Sequence, residues 1–195
     1  MDGDITLQQR YEAVERRIET ACRAAGRPPD QVSLLAVSKT FPAGRVLDLA
    51  GCGQRRFGEN YLQEALTKIS ECATQRPDWR LEWHFIGPIQ SNKTRPIAEH
   101  FDWVHSVDRE RVARRLAEQR PPHLAPLQVC IQVNIGAEDT KSGCDPAQAS
   151  ELAHLVAGLP GLRLRGLMAI PRPETDPAAQ QAQFARFELR QDLRG

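Results

Sequence analysis

The spacing of apolar residues along the chain follows two periods, one typical of helices and the other of strands. Near the N-terminus, apolar residues recur every three or four positions, and a glycine follows them. They are Leu7, Tyr11, Val14, Ile18, Cys22 and Ala25. This spacing predicts an amphipathic helix over 7–25 that ends at Gly26.

Six short apolar runs follow, and an amphipathic stretch comes after each of them. The runs predict strands over 32–37, 55–58, 81–87, 102–107, 127–134 and 162–170. The stretches predict a helix that starts near Pro42 and further helices over 60–74, 91–100, 108–120, 146–158 and about 177–193. A leading helix with six βα units indicates a parallel sheet covered by helices.

Two α/β architectures have this alternation, a doubly wound open sheet and a (β/α)8 barrel of the TIM type. No GxGxxG follows the first predicted strand, and the sequence contains no GxxxxGK[ST]. Both absences weaken the case for a nucleotide-binding open sheet. A barrel needs eight units, and at roughly 26 residues per unit the seventh strand would start just after position 195. We therefore expect one barrel-type domain over 1–195 in which units seven and eight are absent.

Composition and charge narrow the class of protein further. The 195 residues are 41% hydrophobic, which excludes a disordered tail protein, and no apolar run approaches the length of a membrane span. The sequence begins without the basic and apolar segments of a signal peptide. The formal net charge of +1 argues against non-specific nucleic-acid binding. Five cysteines without a CxxC pair fit reduced thiols better than disulfides or a zinc site. The sequence predicts a soluble cytoplasmic protein.

Lysine is rare in this chain, and one lysine lies at a predicted strand end. Of the 26 basic residues, all but Lys39, Lys68, Lys93 and Lys141 are arginine. Because a guanidinium stays protonated and cannot form a Schiff base, a lysine here hints that an amine is needed. Lys39 follows the first apolar run, and barrel enzymes place their active sites at the carboxyl ends of strands. Partial shelter there favours the neutral amine that condenses with an aldehyde. The alternative is an exposed lysine at the start of a loop.

Three further strands place polar or polarisable side chains near their ends. Glu59 and Asn60 follow the second strand, where Asn60 is either a site residue or the N-cap of the next helix. Glu82 and His84 share one face of the third strand, where His84 either contacts a ligand or is a satisfied core histidine. Met168, at the end of the sixth strand, either packs against a planar ring or belongs to the core. The other histidines show no metal-ligand spacing and are assigned no role. They are His100, His105, His123 and His154.

Five motifs together resemble one known family over nearly the whole chain. They are AVSKT (36–40), FGENYLQE (57–64), WHFIGPIQSNK (83–93), QVN with a downstream K-S-G (132–143), and GLMAI (166–170). In this order they are similar to the YggS/PROSC family of pyridoxal phosphate homeostasis proteins, which is related to the N-terminal barrel domain of alanine racemase. The resemblance implies that Lys39 forms a Schiff base with pyridoxal 5′-phosphate. It also implies that Asn60, His84 and Met168 line the cofactor cleft.

The resemblance implies a non-catalytic protein of vitamin B6 homeostasis. Such a protein would hold pyridoxal phosphate on Lys39 and buffer it or pass it to pyridoxal-phosphate-dependent apo-enzymes, with no nucleic-acid or membrane partner. The alternative activity is that of a pyridoxal-phosphate-dependent amino-acid racemase, which needs a base on each face of its substrate. In the related racemase the opposite base is a tyrosine from a second domain, and the tyrosines here are Tyr11 and Tyr61.

Family members also carry two segments that are absent from these 195 residues. A Ser-Met-Gly-Met-Ser segment and a later Arg-Ile-Gly segment supply donors to the cofactor phosphate and an arginine near the pyridine nitrogen. Each lost charge-assisted hydrogen bond would cost roughly 1.5–3 kcal/mol. We therefore expect weaker retention of the cofactor, and a truncated chain that no longer retains it, or only associates with partners, is a third alternative.

Overall fold

The structure, a computed structural model, describes residues 5–135 and 142–188. The helices are α1 (Leu7–Ala24), α2 (Ala43–Gly51), α3 (Leu62–Gln75), α4 (Thr94–His100), α5 (Glu110–Gln119), α6 (Ala149–Ala157) and α7 (Pro177–Glu188). Short 3-10 turns occupy Pro29–Gln31 and Ser91–Lys93. The strands are β1 (Ala36–Val37), β2 (Arg56–Glu59), β3 (Glu82–Phe85), β4 (Trp103–Val107), β5 (Leu127–Gln132) and β6 (Leu162–Met168). The predicted end of the last helix, near 193, lies outside the described residues.

The strands lie in the order β1-β2-β3-β4-β5-β6, which is also their order along the chain. The registered pairs β1–β2, β3–β4, β4–β5 and β5–β6 are all parallel. The predicted parallel α/β arrangement of six βα units after a leading helix is therefore confirmed. The chain divides into two compact units, the first ending at Trp83 and the second beginning at His84.

In the first unit, local capping determines where α1 begins and ends. The Thr6 hydroxyl accepts a hydrogen bond from the Gln9 amide, and the Gln9 side chain accepts one from the Thr6 amide, forming a capping box. At the other end Gly26 adopts φ +64, a left-handed conformation that glycine tolerates best. The helix predicted over 7–25 is confirmed, with its stop at Gly26.

The first strand is much shorter than its apolar run. The prediction of a strand over 32–37 is wrong for 32–35, because the ladder with β2 registers only Ala36 with Phe57 and Val37 with Gly58. Because β1 is so short, the core of this unit is formed mainly by β2, α2 and α3. Its fully buried side chains include Val46, Ala50, Phe57 and Ala65.

In the second unit, the core lies on the two central strands. Val104 and Val107 of β4 and Val129 and Ile131 of β5 have no exposed surface. The helices α4 and α5 cover them with buried apolar side chains, among which Leu116 is also fully buried. Parallel strands that helices cover in this way are apolar over most of their length, as the sequence pattern predicted.

A glycine allows the chain to close back on the end of β5. The Asn134 amide donates to the Cys144 carbonyl (3.0 Å), and the Cys144 amide donates to the Gln132 carbonyl (2.9 Å). Gly143 has φ +125, and a Cβ atom there would lie 2.7 Å from the backbone nitrogen of Asn134. Only glycine fits this approach without a backbone shift.

Among the described helices, none is both long enough and apolar enough to cross a membrane. The five cysteines are free thiols, and Cys52 is the most accessible of them.

Candidate functional site

Lys39 lies on a tight turn at the carboxyl end of β1. The Ser38 amide donates to the Gly58 carbonyl (2.9 Å), which extends the β1–β2 ladder by one residue. The Phe41 amide then donates to the Ser38 carbonyl (3.1 Å) and closes a turn over residues 38–41, which we call the Lys39 turn. Lys39 is its second residue, and its side chain is half-buried. The predicted position of this residue, at a strand end, is the one observed.

The next residue of the Lys39 turn has an unusual backbone conformation. Thr40 adopts φ +67, the only non-glycine residue in the described part of the chain with a positive φ. A β-branched residue is disfavoured there, because its Cβ crowds the neighbouring carbonyl group. The Thr40 amide donates to Glu64 Oε1 at 2.6 Å. A contact from α3 therefore holds the backbone immediately after Lys39.

Asn60 follows β2, the strand that pairs with β1, and does not cap α3. The helix begins at Leu62, its N-cap is Tyr61, and no side chain caps it. The capping interpretation of Asn60 is therefore wrong, since the helix starts one residue too late for it. Its side-chain oxygen is buried and accepts no hydrogen bond from the described residues. An unsatisfied buried acceptor costs roughly 1–3 kcal/mol, which makes this oxygen a candidate ligand contact.

Glu59 and Lys68 form a buried ion pair under the Lys39 turn. Glu59 was expected beside Asn60 at the rim, but it has no exposed surface. Its Oε1 accepts from the Ser38 hydroxyl and from Lys68 Nζ, each at 2.6 Å, and its Oε2 is buried without a partner. Lys68 is 3% exposed and also donates to the Ser38 carbonyl (2.7 Å) and to Glu64 (3.0 Å). All three protons of this ammonium are therefore used.

The role of Lys68 was missed, although the sequence contains a signal for it. Ala65, Lys68 and Cys72 are the buried residues of α3, and their spacing of three and four places the lysine on the apolar face. The contacts of α3 also change the pKa values of two of its side chains. The hydrogen bond from Lys68 lowers the pKa of Glu64, and the hydrogen bond from the Thr40 amide adds to that effect. On the buried face of the helix, burial raises the pKa of the Cys72 thiol to about 11.

In the second unit, His84 lies within an aromatic cluster. Its ring is 4% exposed, and its Nδ1 is 2.8 Å from Nε2 of His105, so one nitrogen donates and the other accepts. The Trp103 ring stacks on His84, with centroids 5.3 Å apart and planes inclined by 15°. The guanidinium of Arg165 lies over Trp103, 5.5 Å from the ring centroid. No role was predicted for His105, although alternation places Trp103 and His105 on one face of β4.

Met168 is the last residue of β6 and is half-buried. Its carbonyl accepts a hydrogen bond from the Val133 amide (2.8 Å), which places it at the carboxyl end of the strand, as predicted. Of the four predicted site residues, Lys39 and Asn60 therefore follow paired strands of the first unit. His84 and Met168 lie in the second unit, on β3 and β6. Lys141, part of the K-S-G motif, lies outside the described residues.

The chain resembles known proteins over almost its full length. Residues 10–194 match the family model of the alanine racemase N-terminal domain. The pyridoxal phosphate homeostasis protein of Pseudomonas aeruginosa is 59% identical over 189 residues, which are 96% of this chain and 80% of that protein.

Two solved structures have the same fold. An unknown protein from Bifidobacterium adolescentis matches with a TM-score of 0.86 and 30% identity, over 95% of this chain and 78% of that one. PipY of Synechococcus elongatus, in a structure with PLP bound, matches with a TM-score of 0.73 and 36% identity, over 89% of this chain and 79% of that one. These matches confirm the α/β fold of the TIM-barrel type. The chain belongs to the family of pyridoxal phosphate homeostasis proteins, within the alanine racemase N-terminal domain family.

Proposed function

We propose that this chain binds pyridoxal 5′-phosphate without catalysing a reaction and serves vitamin B6 homeostasis. Lys39 is the residue proposed to bind the cofactor covalently, as a Schiff base. The observation that carries the proposal is the position of Lys39, a half-buried lysine on a tight turn at the end of β1. The name of the Pseudomonas aeruginosa relative and the cofactor in PipY support it.

The side chains of the first unit fit this cofactor. When bound, pyridoxal phosphate supplies an aldehyde carbon that an amine can attack with loss of water. Lys39 attacks as the neutral amine, so one proton must leave its ammonium group before the C–N bond forms. Asn60 Oδ1 is a buried acceptor without a donor among the described residues, and a ligand that carries a hydroxyl group can supply one. An amine and an unsatisfied acceptor at the ends of adjacent strands therefore suit an aldehyde with a neighbouring hydroxyl.

For the second unit, we propose His84 and Met168 as further cofactor contacts on the strength of the family resemblance. The His84 ring is held in one orientation by His105 and Trp103, so it can present a fixed edge to a ligand. Met168 contributes a flexible, polarisable side chain at a strand end, which suits the face of a planar ring.

We favour a binding role over racemisation because relatives of this chain are named for pyridoxal phosphate homeostasis. The opposite base in the related racemase is a tyrosine, and both tyrosines of this chain lie in its first unit. Tyr11 lies in the second turn of α1, beside Gly53. Tyr61 is 56% exposed, and no hydrogen bond ties its hydroxyl to a neighbouring group in the described part of the chain. We further propose the cytoplasm as the setting and pyridoxal-phosphate-dependent apo-enzymes as recipients, without nucleic-acid partners. The near-neutral net charge of the chain supports the proposal that it has no nucleic-acid partner.

Absorption spectroscopy tests the proposal. We expect pyridoxal phosphate to give an imine absorption band with the wild-type chain and with the control variant Lys93→Ala, but not with Lys39→Ala. A band of equal strength in Lys39→Ala would refute Lys39 as the binding residue.

Solvent deuterium exchange at the α-carbon of alanine distinguishes binding from racemisation. With the loaded chain we expect exchange no faster than with free pyridoxal phosphate. Rapid exchange that requires Lys39 would show that the chain is a racemase.

A further inference from the structure

The residues on either side of Lys39 are held by buried or partly buried side chains, whereas the side chain of Lys39 makes no hydrogen bond within that network. Ser38 precedes it, and both its hydroxyl and its carbonyl are bound, by Glu59 and by Lys68 respectively. Thr40 follows it, and its amide is bound by Glu64. We call Glu59, Glu64 and Lys68 the clamp. Its three members are joined, because Lys68 Nζ contacts both carboxylates, at 2.6 and 3.0 Å.

We propose that the clamp holds the Lys39 turn in its left-handed conformation and thereby positions the amine of Lys39 for the incoming aldehyde. This inference rests on the proposed function. Glu59, Glu64 and Lys68 are positioning residues in this account, since each acts through Ser38 or Thr40.

The unfavourable backbone conformation of Thr40 explains why the turn needs the clamp. At φ +67 a threonine is disfavoured relative to glycine or asparagine, so the turn would relax if nothing opposed it. The short bond from the Thr40 amide to Glu64 is made in this conformation, and the Ser38 contacts fix the other side of the turn. Relaxation of residue 40 would rotate the peptide group next to Lys39 and displace its side chain.

The chemistry of lysine explains why a cation of this type lies at position 68. The ammonium is compact and has three donors in a tetrahedral arrangement, which match three acceptors, one on the Lys39 turn, one on β2 and one on α3. The planar guanidinium used elsewhere in this arginine-rich chain holds its donors in a fixed fork, which suits two parallel acceptors better than three acceptors on different elements. A lysine in this arginine-rich chain can therefore serve ion-pair geometry, as at position 68, as well as Schiff-base chemistry.

The test uses Glu64→Ala, because Glu64 is 35% exposed and its removal leaves the buried pair of Glu59 and Lys68 intact. Glu71→Ala is the matched control, since it removes an exposed acid from the same helix without touching the turn. We expect Glu64→Ala to weaken pyridoxal phosphate binding about five- to thirtyfold, the ratio that corresponds to the left-handed penalty of a non-glycine residue. The double variant Thr40→Gly/Glu64→Ala should recover most of that loss, because glycine needs no clamp at this position.

A second readout does not use the cofactor. Acetic anhydride labels lysines in proportion to their reactivity, and peptide mass spectrometry gives the ratio of Lys39 to Lys93 within one molecule. We expect this ratio to shift in Glu64→Ala, to stay at the wild-type value in Glu71→Ala, and to return in the double variant with Thr40→Gly.

The outcomes separate the two proposals. If the wild-type chain binds the cofactor and Glu64→Ala binds it equally well with an unchanged labelling ratio, the clamp has no positioning role and this inference is wrong. The same holds if Glu64→Ala only lowers the melting temperature, or if Thr40→Gly restores neither readout. If the wild-type chain forms no imine, the proposed function fails, while the labelling ratios still decide whether the clamp positions Lys39.

Discussion

Replacement of Lys68 by methionine tests the buried ion pair under the Lys39 turn. Methionine keeps most of the apolar stem of the lysine and removes its three donors. Glu59 would then remain buried, with only the Ser38 hydroxyl as a partner among the described residues. The Ser38 carbonyl would lose its bond of 2.7 Å to the ammonium.

The structure sets the size of the effect. Lys68 is 3% exposed and Glu59 is fully buried, so the pair follows the rule for buried ion pairs, in which removal of one partner costs about 3–5 kcal/mol. A domain has roughly 5–15 kcal/mol of stability in total. At about 2–4 °C per kcal/mol for a chain of this size, we expect Lys68→Met to lower Tm by roughly 6–20 °C.

The assay is thermal and urea unfolding of the full chain, followed by circular dichroism. The double variant Glu59→Gln/Lys68→Met removes both charges, and we expect it to be more stable than Lys68→Met alone by about 1–3 kcal/mol. Lys93→Met is the control, because that lysine, unlike Lys68, is not fully buried. If Lys68→Met lowers the free energy of unfolding by less than about 1 kcal/mol, the buried ion pair does not have the predicted importance. The same follows if the losses in Lys68→Met and Glu59→Gln simply add in the double variant.

Three further predictions concern pH, backbone and thiols. The pKa of Glu64 in the folded chain lies below its ordinary value of 4.5, so ionised Glu64 stabilises the fold above that pH and loses this effect as the pH falls through the lowered pKa. The difference in free energy of unfolding between wild type and Glu64→Gln should therefore shrink when unfolding is measured at progressively lower pH. Gly143→Ala should cost at least roughly 1–3 kcal/mol in thermal unfolding, whereas Gly44→Ala, with open space around it, should be neutral or stabilising. Because burial raises the pKa of Cys130 to about 11, iodoacetamide at neutral pH should alkylate Cys52 first, as mass spectrometry can show; equal rates would contradict this.

Much of the fold was predictable because it depends on local patterns. The helical spacing before Gly26 and the six apolar runs gave the correct order and type of the elements. The main error, the length of β1, arose because strand ends depend on the partner strand. Residues 32–35 are apolar enough for a strand but have no ladder partner in β2.

The candidate site was predictable only in part, for the same reason. Lys39 follows an apolar run and Met168 lies near the end of one, so local pattern was enough to place them at strand ends. The buried bonds of Lys68 and the contact of His84 with His105 depend on which elements pack together, and no local pattern contains that register. The sequence left Asn60 open between a site residue and an N-cap, because N-cap preference is local and does not fix the residue at which α3 begins, which is Leu62.

The most direct test of the account is borohydride reduction of the chain in the presence of pyridoxal phosphate, followed by peptide mass mapping. Reduction fixes an imine as a stable amine and so records which lysine carried it. We predict the adduct on the peptide that contains Lys39, with Lys93 unlabelled at the same cofactor concentration. An adduct spread evenly over the lysines, or none on Lys39, would contradict the account.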